Sequence, residues 1–127
     1  MTPHPRLRPV ALPGHTIALA THCGRLYVTV NRDPETGQPV EVFCRFGKAG
    51  GCGSAIMDGM TRMISYGLRA GLPAEHVVRG LTGISCYHGP DTCMNALALA
   101  VSALLSSAAT GIEPGDILAE DKVVQSR

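Results

Sequence analysis

Five cysteines stand in this chain of 127 residues, at Cys23, Cys44, Cys52, Cys86 and Cys93. Thiols offer three chemistries: pairing into disulfides, acting as nucleophiles or redox couples, and binding a soft metal as thiolates. The count is odd, and the N-terminal stretch MTPHPRLRPVALP has no apolar export core, which favours thiols or metal ligands over a disulfide framework. Twenty-eight residues separate Cys23 from Cys52, thirty-three separate Cys52 from Cys86, and six separate Cys86 from Cys93. No CxxC knuckle is present, so spacing alone selects no ligand set.

The elements that carry these cysteines separate them better. Thr16–Thr21 is β-prone, and in Arg25–Val30 the apolar Leu26, Val28 and Val30 alternate with Tyr27 and Thr29. After the turn formers NRDPETGQP, Val40, Val42, Cys44 and Phe46 again occupy one face of a strand. Cys44 therefore reads as a small core hydrophobe. Ile56, Met60, Ile64 and Leu68 recur at helical spacing over Ser54–Ala70, with Gly71 as the stop and Pro73 opening a short helix over Ala74–Leu81. A third helix over Met94–Ala108, starting near Asp91 or Thr92, carries Leu97, Val101, Leu104 and Leu105. Strands first and helices afterwards predict an α+β fold, a small antiparallel sheet of about three strands with helices packed on one face.

On this layout Cys23 precedes the second strand, Cys52 the first helix, Cys86 sits in a loop and Cys93 in the first turn of the last helix. All four fall at element ends, which can gather at one edge of a small domain. Helix N-termini stabilise a thiolate at Cys52 and Cys93, and metal binding needs that ionised form. The Gly50–Ser54 run, GGCGS, allows close backbone approach to a ligand. Four thiolates suit a closed tetrahedral zinc site, although an iron–sulfur cluster takes the same ligands and free or redox-active thiols are the simpler alternative. His22 and His88 are alternative ligands.

These residues resemble the TSCPD domain, found near the C-terminus of adenosylcobalamin-dependent (class II) ribonucleotide reductases and as small stand-alone proteins. HCGRLYVTVN, VEVFCRFGKAGGCGSA, MTRMISYGLRAGLPAEHVVRGLTGISC and DTCMNALALAV follow its segments in order. The resemblance places the recurrent cysteines on Cys23, Cys52, Cys86 and Cys93, and an aliphatic residue where Cys44 stands. The name-giving Thr-Ser-Cys-Pro-Asp is here Asp91-Thr92-Cys93-Met94-Asn95, which loses the proline and the aspartate. A more distant similarity, carried by GCGSAI at Gly51–Ile56, is to iron–sulfur scaffold proteins of the NifU/IscU type, and it implies a NifU/IscU-like fold.

Three segments are expected: an extended arm over 1–13, a TSCPD-like metal-binding domain over 14–110, and a loosely packed tail over 111–127. The net charge of +1 gives no global field for nucleic acid or membrane, and the 4% aromatic content argues against base-stacking platforms. Arg45, Lys48 and Arg62, with Arg69 beside them, could form a modest basic patch for a phosphate or partner. No run of eighteen apolar residues is present, so a soluble, cytoplasmic chain is expected. A reductase barrel with its cobalamin site and radical cysteine needs several hundred residues, so this chain alone is not expected to be catalytic. The resemblance implies an accessory or detached module of a class II reductase system that carries zinc and binds the catalytic chain or its nucleotide, and a homodimer is open. The alternatives are an iron–sulfur or metal carrier and a zinc-stabilised interaction domain.

Overall fold

The structure, a computed structural model, describes residues 8–47, 52–86, 89 and 92–125, with side chains at 52, 53 and 120–125 outside that description. Three strands, β1 (Gly14–Thr21), β2 (Gly24–Arg32) and β3 (Pro39–Phe46), form an antiparallel sheet in sequential order. Four helices follow: α1 (Cys52–Arg69), α2 (Ala74–Leu81), α3 (Cys93–Thr110) and α4 (Pro114–Gln125). The α+β class with a three-stranded antiparallel sheet is as the sequence predicts.

Strand alternation sorts the side chains into two faces. Cross-strand rows Leu19–Leu26–Phe46, Ile17–Val28–Cys44 and His15–Val30–Val42 line the inner face. The apolar members of these rows meet Leu97, Ala100, Val101 and Leu104 of α3 in one core cluster. Cys44 packs against that cluster as the alternation predicts. Helix α3 touches all three strands, α2 and α4. By length and composition it could cross a membrane, yet here it is the central core helix, with Leu97 and Val101 fully buried.

Helix α1 packs along β3. Its buried face is Met57, Thr61, Ile64 and Leu68, while Ile56 is 60% exposed. The expected stripe of Ile56, Met60, Ile64 and Leu68 fails at its N-terminal end because steps of four residues overshoot a turn, so twelve residues rotate Ile56 by roughly 120° from Leu68. Thr61 tolerates burial by donating its hydroxyl back to the Met57 carbonyl at 2.9 Å. The segment 111–127, expected as a loosely packed tail, contains α4, and Pro114 and Leu118 are buried.

Two polar contacts tie α1 to the sheet. Strand β3 lies at the edge, so the N–H and C=O of Val42 that face away from β2 need partners. Ser65 supplies both: Val42 N–H donates to its Oγ at 2.9 Å, and Oγ donates to Val42 C=O at 3.0 Å. Beside it, the Glu41 carboxylate is 1% exposed and accepts from Arg8 Nε at 2.8 Å, Arg8 Nη2 at 2.9 Å and Asn31 Nδ2 at 2.6 Å. Arg69 of α1 adds a second cation at 3.7 Å. This network joins the N-terminal arm, β2, β3 and the end of α1.

Ser65→Ala leaves two buried strand groups without partners and is expected to cost about 2 kcal/mol, read by urea unfolding. Burial alone raises the Glu41 carboxyl, but hydrogen bonds from Arg8 and Asn31 and the charges of Arg8 and Arg69 outweigh it and hold the carboxyl below its ordinary 4.5. The stabilisation is therefore complete above pH 4.5 and is lost as pH falls through the depressed value. Glu41→Gln should lower stability at neutral pH by about 2 kcal/mol and narrow the gap from wild type as both are acidified, which thermal melts across the acid range will check.

Candidate metal centre

The β1–β2 hairpin brings Cys23 to one end of the domain. Thr21 pairs with Gly24 in the register, so His22 and Cys23 form the turn. The positive φ that the reversal requires falls on Gly24, at 119°. Thr21 Oγ1 holds the turn by accepting from Cys23 N–H at 3.1 Å and donating to Gly24 C=O at 2.7 Å. The Cys23 side chain is exposed.

The second cysteine of the group is held by the start of α3. Thr92 caps that helix, its Oγ1 accepting from Asn95 N–H at 3.1 Å and donating to Ile84 C=O at 2.6 Å. Asn95 Oδ1 accepts from Gly83 N–H at 2.9 Å. Two side chains of the helix start therefore anchor the loop leading to Cys86, which exchanges two 3.0 Å backbone hydrogen bonds with Gly89. A Cβ added at Gly89 would stand 3.5 Å from His22 Nε2, so the hairpin tip and the Cys86–Gly89 turn lie against each other.

Cys93, the first residue of α3, lies between them. Burial pushes its thiol up, and negative charge on Cys23 and on Cys86 does the same, while the backbone N–H groups of Cys93 and Met94 favour the thiolate. Cys44 stands on the core side, its thiol pushed up to about 12 by burial and then by the neighbouring Cys93 charge. It stays protonated at neutral pH. Thiols that raise one another in this way are strained as anions, and a cation among them would turn repulsion into attraction. Among the described residues, no three Cys, His, Asp or Glu side chains form a group able to hold a metal ion. Cys52 opens α1, but its side chain lies outside the description, as do His88 and Lys48.

The other basic candidates are dispersed. Arg45 is exposed on the outer sheet face, Arg62 pairs with Asp58 at 3.2 Å on the surface of α1, and Arg69 is held by Glu41 and stacks 5.5 Å over the Tyr66 ring. Sequence reasoning did not find a cleft of about 300 Å³ at the far end of the β1–β2 hairpin, lined by His15, Arg32, Thr36, Ser107 and Glu113 among others. His15 links it, with Nε2 3.3 Å from Glu113 and Nδ1 3.4 Å from Arg32 Nη1. These residues are dispersed in sequence, and no motif marks them.

Searches among curated proteins and among solved structures each return no significant match. The similarity to iron–sulfur scaffolds of the NifU/IscU type is therefore not shown. A family-wide sequence model does match, over residues 2–105, and its description is the TSCPD domain, a domain associated with ribonucleotide reductases. With that match extending over most of the chain and containing all five cysteines, the chain belongs to the TSCPD domain family.

Proposed function

We propose that this protein is a metal-bearing accessory module of a class II ribonucleotide reductase system, with Cys23, Cys52, Cys86 and Cys93 as the ligands of one zinc ion. The observation that carries this reading is the placement of Cys93 at the N-terminus of α3, within electrostatic reach of both Cys23 and Cys86. Cys52 opens α1 in the same way, so two ligands would sit where helix N–H groups support thiolates. Four thiolates close the coordination shell and leave no position for substrate, which makes the site structural. Such an ion would fasten the hairpin tip, the 83–89 loop and the starts of α1 and α3 into one rigid surface for the reductase chain or its nucleotide. Localisation in the cytoplasm agrees with thiols kept reduced.

Protein purified without oxygen should contain one zinc per chain by elemental analysis. Cys23→Ser, Cys52→Ser, Cys86→Ser and Cys93→Ser should each lower the metal content and the melting temperature, whereas Cys44→Ser should keep the metal. Essential Cys44 with dispensable Cys86 would overturn the ligand set, and visible charge-transfer absorption after anaerobic reconstitution with iron and sulfide would favour a cluster carrier instead.

The partner is tested separately by pull-down of a class II catalytic chain on the immobilised, metal-loaded protein, with nucleotide binding measured in parallel. Retention of the reductase chain, lost in Cys86→Ser, is the expected result. Absence of any affinity for either would sink the accessory role while leaving the metal site standing.

A further inference from the structure

Among the described residues, no helix lies across the outer face of the sheet. One end of this face is covered by the Glu41 cluster with Asn31, Arg8 and Arg69, and beyond it Thr16, Ala18 and Ala20 on β1, Arg25, Tyr27 and Thr29 on β2, and Phe43 and Arg45 on β3 are not buried. Two of the five aromatic residues of the chain are neighbours here. Tyr27 is paired with Arg45 and Thr29 with Phe43, so Phe43 and Tyr27 are diagonal neighbours on adjacent strands, close enough for their rings to form one platform. Phe43 is 47% exposed, although it lies in the middle of a strand. Gly47 lies beside the half-buried Tyr27 ring, where an added Cβ would stand 3.6 Å from Cε2, an ordinary contact distance.

The charge on this face has one sign. Arg25 and Arg45 are exposed on it, and the strands contribute a single acid, Glu41, which is buried at the far end and neutralised by Arg8 and Arg69. Among the described residues, no carboxylate pairs with Arg25 or Arg45. Flat aromatic rings flanked by guanidinium groups on an open sheet match an extended chain that carries alternating bases and phosphates. A protein partner of ordinary surface composition would not call for this one-sided charge. Chain-wide composition, which argued against a stacking platform, averages over the concentration of both rings on one face.

We infer that this face binds single-stranded nucleic acid, with two bases stacked on Phe43 and Tyr27 and the neighbouring phosphates held by Arg25 and Arg45. Sequence preference is absent, because stacking and phosphate contacts do not read base edges. None of the four residues is a cysteine-site ligand, although Arg25 follows Cys23 by two positions.

Fluorescence anisotropy of labelled single-stranded ten-mers of RNA and DNA, titrated with the full chain as purified, tests this. Binding is expected at low ionic strength, with log K falling against log salt by about 0.7 per phosphate contact, hence a slope of about −1.4. Phe43→Ala should weaken binding about tenfold and Arg45→Glu should abolish the salt dependence of one contact, while Arg79→Glu on α2 leaves binding unchanged. Circular dichroism confirms that each variant folds. No binding at low salt, or binding indifferent to Phe43→Ala and Arg45→Glu, overturns the inference. Light scattering that finds a dimer dissociated by Phe43→Arg assigns the face to a second copy and overturns it equally.

Discussion

The cysteine end of this domain depends on one hydroxyl, that of Thr92. It ends the preceding loop and begins α3 in a single atom, accepting from Asn95 N–H while donating to Ile84 C=O. A helix must leave its first N–H groups unpaired, and a cap that also grips the incoming loop converts this deficit into a joint. Where α3 starts fixes the position of Cys93. The grip on Ile84, with that of Asn95 on Gly83, limits where Cys86 can go. The position of α3 is set by burial of Leu97 and Val101 against the sheet. Core packing and site geometry are therefore coupled through the first turn of one helix.

The same logic of satisfying backbone groups governs the opposite side of the domain. A three-stranded sheet has two edges, and β3 solves its edge with a helix in place of a further strand. Ser65 meets both outward groups of Val42, and the Glu41 cluster next to it gathers the arm and the end of α1. A buried carboxylate of this kind is costly alone and stable only when its partners are present together. It specifies where α1 lies without adding to the apolar core, while α3 packs against all three strands.

What could be read from sequence was what repeats along the chain. Period-two alternation placed Leu26, Val28, Val30, Val42 and Cys44 on the inner face, and helix signals placed α2 over Ala74–Leu81. The four cysteines at element ends were legible for the same reason, since turns and caps announce themselves through glycine, proline and threonine. Contacts between distant segments were not legible. Glu41 sits in an alternating strand as an ordinary outward residue, and nothing local says that Arg8, thirty-three positions away, covers it. Ile56 shared the four-residue spacing of Met60, Ile64 and Leu68, but steps of four accumulate an offset that turns it out of the buried face. The tail 111–127 looked polar, yet Pro114 can open a helix and Leu118 suffices to anchor it.

The departure of Asp91-Thr92-Cys93-Met94-Asn95 from the family's name-giving motif becomes intelligible in these terms. A threonine caps α3 where the motif has serine, and both side chains offer the same hydroxyl. Asn95 replaces an aspartate, and the atom in use is a side-chain oxygen that accepts from Gly83 N–H, which an amide carbonyl provides as well as a carboxylate does. The amide removes a negative charge from beside the thiols, where negative charge already opposes ionisation of Cys93. Met94 replaces a proline, and its backbone N–H is one of the two groups that favour the Cys93 thiolate, a donor that proline lacks. The cap and the loop anchor are preserved, and both other changes favour the ionised thiol. In this chain the cap and the loop anchor are filled by Thr92 and Asn95, and the Met94 N–H partly offsets the burial that pushes the Cys93 thiol up.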